Sequence, residues 1–234
     1  MERPRSVLIC HHDDPLNRFG LARWMASFTE LSGIIVIREP KARLRRRIRR
    51  EVERVGAIRF LDVLAFQTYY RLMLAPADRA WIQATLEALS RRYAPVPESC
   101  RVVETPSPNS AEALSLLQET RPDFALARCK NILRKQIFEV PSSGTFVMHP
   151  GVCPEYRNAH GCFWALARRD LDRVGMTLLR VDAGVDTGPV YGYYGCNFDE
   201  RNESHIVIQH RVVFDNLDAL RVKFEEILTG AARR

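Results

Sequence analysis

A histidine and two aspartates stand where the chain is expected to turn. The run GTFVMH (144–149) is rich in β-branched and aromatic residues, ends at His149 and is followed by a proline. Asp182 and Asp186 lie in the glycine-containing segment DAGVDTGP (182–189). A carboxylate facing a histidine fixes its tautomer and stabilises the imidazolium, as general acid–base catalysis requires. The alternative is separate structural roles, because spacing alone does not show that these side chains meet.

Short apolar runs bounded by turn residues supply the strands that would position these side chains. The predicted strands are SVLIC (6–10), GIIVI (33–37), RVVET (101–105), DFALA (123–127), GTFVMH (144–149), GMTLLRV (175–181) and PVYGYY (189–194). Strand and helix patterns alternate along the chain, which predicts a single α/β domain with an open, mostly parallel sheet and flanking helices. Ligands of such sheets bind beyond the carboxyl ends of the strands, where His149 stands.

Helical periodicity fills the segments between these strands. The first predicted helix follows Pro15 and has apolar residues from Phe19 to Leu31. Further helices are predicted at about 60–75, at about 78–93, from Asn109 or Ser110 onwards, and at about 203–229, just before Gly230. The expected organisation is one domain over 1–234, with a helical basic insertion at about 41–95 and a C-terminal helical tail at about 203–229.

Composition excludes several classes of protein. The chain is 46% hydrophobic and 27% charged, as expected of a globular protein. No apolar run approaches the roughly 20 residues of a membrane helix, and the first apolar run is too short for a signal peptide, so a cytoplasmic location is expected. The six cysteines form no CxxC pair, which favours reduced, mostly buried thiols over a disulfide framework or a zinc site.

The net charge of +7 is concentrated in one segment. Residues 41–59 contain nine Lys or Arg against Glu51 and Glu53, and their apolar residues recur at helical spacing, which predicts an amphipathic helix with a basic face. One interpretation is a solvated surface helix; the functional alternative is contact with an acidic partner or a phosphate. Nucleic acid is less favoured, because no aromatic residues interleave the basic ones.

The stretch HPGVCPEYRNAHGCFWALARRDLDRVGMTLLRVDAGVDTGPV (149–190) resembles the folate-dependent formyltransferase family, which includes methionyl-tRNA, glycinamide ribonucleotide and nucleotide-sugar N-formyltransferases. That family shows Asn-x-His-Pro-Ser, then Leu-Pro-x-Tyr-Arg-Gly, then Asp-x-Gly-x-Asp-Thr-Gly, and this stretch follows it in order and spacing. Upstream, RPDFALARCKNIL (121–133) resembles the strand and backbone segment that receive the pterin of the folate. The likeness is strong over about residues 109–196.

The resemblance implies a Rossmann-like sheet on which an amine attacks the formyl carbon of 10-formyltetrahydrofolate. It places His149 as the acid–base group and Asp186 as its partner. The cofactor-binding residues that it implies are Leu126, Cys129, Asn131, Leu133 and Asp182.

Two departures from the family pattern concern the oxyanion that forms when the amine attacks. Val147 stands where the family has asparagine, and a lost oxyanion donor typically costs about 10² to 10³ in rate. Asn158 stands where the family has glycine and is a candidate oxyanion or substrate contact. The favoured function is N-formyl transfer to a small-molecule amine with an altered oxyanion site. The alternatives are a 10-formyltetrahydrofolate hydrolase and a catalytically degenerate folate-binding or interaction protein.

The loop CHHDDPLNRFG (10–20) is the candidate acceptor site. Asp13 and Asp14 would repel a phosphate and attract a cationic amine, which predicts a substrate-binding role for both. Adjacent residues of one loop rarely direct all their side chains at one ion, so no metal is expected. No extra C-terminal domain is apparent, so charged tRNA is not the expected acceptor, and homo-oligomerisation stays open. The remaining histidines are predicted to lie on helix faces or in the core: His160, His205 and His210.

Overall fold

The computed structural model describes residues 3–40, 49–50, 52–54, 56–157 and 160–232. Within them, seven strands form one sheet in the order β3-β2-β1-β4-β5-β6-β7. The strands are β1 (Arg5–His11), β2 (Glu30–Ile37), β3 (Arg101–Thr105), β4 (Phe124–Arg128), β5 (Gly144–His149), β6 (Gly175–Arg180) and β7 (Val190–Gly195). Pairing is parallel from β3 to β5, whereas β6 pairs antiparallel with both β5 and β7. The predicted α/β domain with an open, mostly parallel sheet is confirmed.

Helices cover both faces of the sheet. The helices are α1 (Ala22–Phe28), α2 (Ala57–Tyr69), α3 (Ala75–Arg92), α4 (Ala111–Thr120), α5 (Lys135–Phe138), α6 (Gly161–Ala167), α7 (His205–Phe214) and α8 (Leu217–Leu228). A π-helical segment (Leu16–Leu21) precedes α1, and a second one (Tyr70–Leu74) joins α2 to α3. No helix of the described residues is long and apolar enough to cross a membrane.

The central strands read as continuous apolar runs because each of their faces is buried. On one face, Leu8 of β1 packs in the same cluster as Trp24 of α1 and Phe224 of α8. On the other face, Ile9 packs with Leu117 of α4. The two layers of helices therefore hold the strands rigidly, and with them the side chains at the strand ends.

One helix prediction is corrected, and one is given in more detail. The helix predicted to include Leu31 ends at Phe28, and Leu31 lies in β2. Thr29 is extended (φ −124°, ψ 167°), and its Oγ1 donates to the carbonyl oxygen of Met25 at 2.7 Å, which closes the last turn. The tail predicted to be helical contains two helices, α7 and α8, separated by Asp215 and Asn216.

Two helix boundaries agree with the sequence. Ser110 is the N-cap of α4, and its Oγ accepts a hydrogen bond from the backbone N–H of Ala113 at 3.2 Å. Gly230 follows α8 with φ +75°, the left-handed conformation that commonly ends a helix. The core of the predicted basic helix, residues 41–48 with Glu51 and Val55, lies outside the described residues, so its structure and its partner stay predictions.

Candidate active site

An open cleft of ≈380 Å³ lies at the carboxyl ends of β1, β4 and β5. The strand order places β2 and β3 on one side of β1 and β4 and β5 on the other, so the crossover connections leave in opposite directions. Such a switch point leaves a crevice at the strand ends where ligands of open α/β sheets bind. The cleft therefore lies where the fold itself favours a binding site.

The ring of His149, which is 5% exposed, lines this cleft from the end of β5. Its Nε2 lies 2.8 Å from the backbone carbonyl oxygen of Tyr156. Because a carbonyl oxygen only accepts, Nε2 carries the proton of this hydrogen bond. That contact fixes the tautomer and turns Nδ1 towards Asp186.

Asp186 brings a carboxylate oxygen to 3.5 Å from Nδ1 of His149. The residue has φ +52°, a left-handed conformation that non-glycine residues seldom adopt, which directs this turn of the chain towards the histidine. A separation of 3.5 Å is longer than a good hydrogen bond, as is common in catalytic sites before substrate binds. The two residues predicted to form an acid–base pair are thus brought together.

The loop after His149 is held by close packing and by one hydroxyl. Thr177 of β6 donates through Oγ1 to the carbonyl oxygen of Gly151 at 2.7 Å and accepts from the N–H of Cys153 at 3.0 Å. A Cβ on Gly161 would lie 2.6 Å from Cα of Gly151 and 2.8 Å from the carbonyl oxygen of Tyr156. Only glycine permits this approach, so the carbonyl that holds His149 has little freedom to move.

Most of the residues predicted to bind the folate lie along the cleft. The chain after β4 lines it with Cys129, Asn131 and Leu133, and Asp182 lines it from the opposite loop. Burial raises the pKa of the Cys129 thiol to about 11, so it stays protonated at neutral pH. Leu126 is the exception, because it is fully buried in the core between the sheet and α1.

The side chain of Asn131 brings an unpaired polar atom to the lining of the cleft. Its Oδ1 is buried and has no hydrogen-bond partner among the described residues. A buried unsatisfied acceptor is costly, and an N–H donor of a bound ligand would satisfy it. The carboxylate of Asp182 is used differently: it accepts from the N–H of Gly184 at 3.0 Å and from the hydroxyl of Thr187 at 2.8 Å, which closes its own turn.

The two aspartates of the loop after β1 have different positions. Asp14 lines the cleft, whereas Asp13 is exposed and does not. Asp14 begins the π-helical segment by accepting from the backbone N–H of Asn17 at 3.0 Å and from its side-chain amide at 2.6 Å. The structure therefore brings one of the two predicted substrate-binding carboxylates to the site.

The sequence reasoning missed Arg128, the last residue of β4. It is 8% exposed and lines the cleft, where its Nε donates to Oδ1 of Asn17 at 3.3 Å and its Nη1 donates to the carbonyl oxygen of Met148. Burial lowers the pKa of Arg128, and the charge of Asp14 opposes this effect. The sequence did contain a signal for this residue, because Arg128 is a charged residue at the end of an apolar strand that precedes the strand of His149.

Two other histidines line the cleft, and a third lies near Asp14. The Nε2 of His11 accepts from the N–H of Lys130 at 3.1 Å, which requires an unprotonated nitrogen, in keeping with a pKa lowered by burial. His160 is the N-cap residue of α6 and lines the cleft. His210 is buried with Nε2 3.9 Å from Asp14, and burial is the main cause that lowers its pKa.

Val147 lies two residues before His149 on the same face of β5, between Ala127 and Leu179 of the neighbouring strands, and lines the cleft. Its side chain offers no hydrogen-bond donor, so the altered oxyanion position predicted from the sequence faces the site. Asn158 lies outside the described residues, and its predicted role stays a prediction. No group of three or more metal-binding side chains occurs among the residues that the structure describes.

Solved structures share this fold over almost the whole chain. The phosphoribosylglycinamide formyltransferase of Anaplasma phagocytophilum matches with a TM-score of 0.60 and 12% identity, covering 98% of this chain and 89% of that one. A sugar N-formyltransferase of Shewanella sp FDAARGOS_354 matches with a TM-score of 0.54 and 12% identity, covering 98% of this chain and 72% of that one. At this level of identity the likeness shows the fold alone.

Sequence comparison identifies the family. Methionyl-tRNA formyltransferase of Microcystis aeruginosa is 35% identical over 82 residues, which are 35% of this chain and 25% of the relative. Methionyl-tRNA formyltransferase of Kosmotoga olearia is 31% identical over 90 residues, which are 38% of this chain and 29% of the relative. These matches span less than a third of the relatives' length. The formyl transferase family model matches residues 84–220, more than half of the chain and all of the strand-end residues from β4 to β7. The chain therefore belongs to the formyl transferase family.

Proposed function

We propose that the protein is an N-formyltransferase that moves a formyl group from 10-formyltetrahydrofolate to the amine of a small molecule. The observation that supports this most directly is the pair of His149 and Asp186, with Nδ1 and Oδ2 3.5 Å apart in a cleft at the strand ends. The family, the partly apolar cleft and the buried acceptor of Asn131 agree with a folate-bound formyl donor.

The histidine pair supplies the proton transfers that such a reaction needs. The attacking amine gives up a proton and the tetrahydrofolate nitrogen that leaves gains one. Nδ1 of His149 is the ring nitrogen that exchanges protons, because Nε2 is committed to the carbonyl oxygen of Tyr156. Asp186 stabilises the protonated ring, and a positioned acid–base group contributes about 10² to 10⁴ in rate.

Val147 changes how the developing oxyanion is stabilised. Since this side chain has no donor, the protonated His149 carries more of that interaction than it would beside an asparagine. The expected consequence is slower transfer through an unchanged acid–base pair.

The test is incubation of the purified protein with 10-formyltetrahydrofolate and a library of primary amines. Absorbance follows release of tetrahydrofolate, and mass spectrometry identifies formylated amines. We expect amine-dependent release with a formylated product of matching amount. Formate release without an amine, or folate binding without any formylated product, would contradict formyl transfer.

A further inference from the structure

The guanidinium of Arg128 has hydrogen-bonding capacity that the protein does not use. It carries five N–H groups. One on Nε is donated to Asn17 and one on Nη1 to the carbonyl oxygen of Met148. Both acceptors are uncharged, and the side chain lines the cleft although it is 8% exposed. The remaining N–H groups therefore lack a protein acceptor among the described residues.

The positive charge of Arg128 also lacks an ion-pair partner in the part of the chain that the structure describes. Its link to Asp14 is indirect, because Asn17 accepts from Arg128 through Oδ1 and donates to Asp14 through Nδ2. A buried ion without a paired charge is destabilising, so buried charges are normally paired. A guanidinium stays protonated even where burial lowers its pKa. An incoming anion would supply the missing charge.

The position of Arg128 ties it to the acid–base group. The carbonyl that it contacts belongs to Met148, so a single peptide link separates that contact from His149. Asp14 lines the same cleft with a side chain that is 26% exposed. The cleft that holds the histidine thus also holds the buried cation of Arg128 and the partly exposed carboxylate of Asp14, which complement a ligand that has both an anionic group and an amine.

We propose that Arg128 binds an anionic group of the acceptor, so that the acceptor is a primary amine that also carries a carboxylate or a phosphate. This inference rests on the proposed formyl transfer and narrows its acceptor. Carboxylate and phosphate share the geometry that the planar fork of a guanidinium recognises with paired hydrogen bonds. Asp14 attracts the ammonium group of the same ligand, and the charge of Arg128 offsets the repulsion of a phosphate that the sequence alone predicts for the aspartates. Amines with only positive charge, such as polyamines, would leave the charge of Arg128 unpaired, so we expect them to be poorer acceptors.

The test compares matched amines that differ only in the anionic group. β-Alanine is paired with β-alaninamide, and phosphoethanolamine with ethanolamine, so that the two arms distinguish a carboxylate from a phosphate. We expect kcat/KM of the wild type to favour at least one anionic member by tenfold or more. In Arg128→Met that preference falls below threefold. The ratio is measured within each protein, so a smaller folded fraction in the variant does not alter it.

The matched control is Arg101→Met, which removes an exposed guanidinium of β3 that pairs with Glu119. This variant keeps the wild-type preference. Equal use of both members of each pair by the wild type, or a preference that survives in Arg128→Met, would overturn the proposal.

A binding measurement separates this inference from the proposed function. Calorimetric titration with β-alanine, with phosphoethanolamine and with inorganic phosphate is compared for the wild type, Arg128→Met and Arg101→Met. Binding that is weakened at least tenfold only in Arg128→Met supports the anion site even if no amine is formylated, in which case the proposed function fails alone. Absence of binding, or equal binding to all three proteins, contradicts the anion site even if formyl transfer occurs.

Discussion

Gly161→Ala should weaken the site without touching any reacting group. The new Cβ would lie 2.6 Å from Cα of Gly151, 2.6 Å from the carbonyl oxygen of Pro150 and 2.8 Å from that of Tyr156. Cβ contacts under 3.0 Å are essentially never seen, so at least 0.4 Å of backbone movement is needed. All three neighbours are backbone atoms, which cannot rotate away as a flexible side chain can.

The movement reaches His149 through one hydrogen bond. The carbonyl oxygen of Tyr156 now accepts from Nε2 at 2.8 Å, and a shift of this size takes the bond to the limit of good geometry. Overpacking costs about 1 to 3 kcal/mol of folding free energy. A misplacement near 1 Å can cost about 10²-fold in rate, so about a tenfold lower kcat is expected here.

The measurements are urea unfolding and the initial rate of formyl transfer per folded protein. The control is Gly195→Ala, whose Cβ would have no neighbour closer than the carbonyl oxygen of Val174 at 4.0 Å. We expect the control to match the wild type in kcat. If Gly161→Ala kept wild-type stability to within about 0.5 kcal/mol and the wild-type rate to within twofold, the coupling of this contact to His149 would be wrong.

Two other substitutions test the oxyanion and the charge balance. Val147→Asn restores a hydrogen-bond donor beside His149, so we expect kcat to rise about tenfold or more, which equals about 1.4 kcal/mol of activation free energy. An unchanged initial rate would contradict this role of Val147. For His210, burial holds the folded pKa below its ordinary 6.5, so the unfolded chain binds the proton first and stability falls as pH drops below 6.5. His210→Gln should reduce this slope by up to about 1.4 kcal/mol per pH unit in urea unfolding at pH 5 to 7, and an identical slope would refute the assignment.

The sheet was predictable because its strands have sharp ends in the sequence. The run at 144–149 begins at a glycine and ends before a proline, and the strand has the predicted bounds. Leu31 was misassigned because an apolar residue three positions after Phe28 fits a helix and equally fits the entry of a buried strand. Periodicity cannot separate the two when both faces of a strand are covered.

The parts of the site that depend on the chemical type of a side chain were predictable from the sequence. The parts that depend on backbone atoms were not. His149 and Asp186 were identifiable from strand ends and motifs, and the structure brings them together. The carbonyl oxygen of Tyr156 has no signature in the sequence, although it sets the tautomer of the histidine. The full burial of Leu126, which was predicted to bind the cofactor, was not predictable, because a strand buried on both sides shows no polar alternation to reveal which residues face the cleft.

The rate of formyl transfer by His149→Ala tests most directly whether this ring performs the proton transfers. Formylated amine is quantified by mass spectrometry, with 10-formyltetrahydrofolate and an amine that the wild type accepts, and folate binding is measured alongside. We expect a rate at least about 10²-fold lower, with folate affinity within about threefold of the wild type. A His149→Ala protein that formylates the amine at the wild-type rate would contradict this role of the ring.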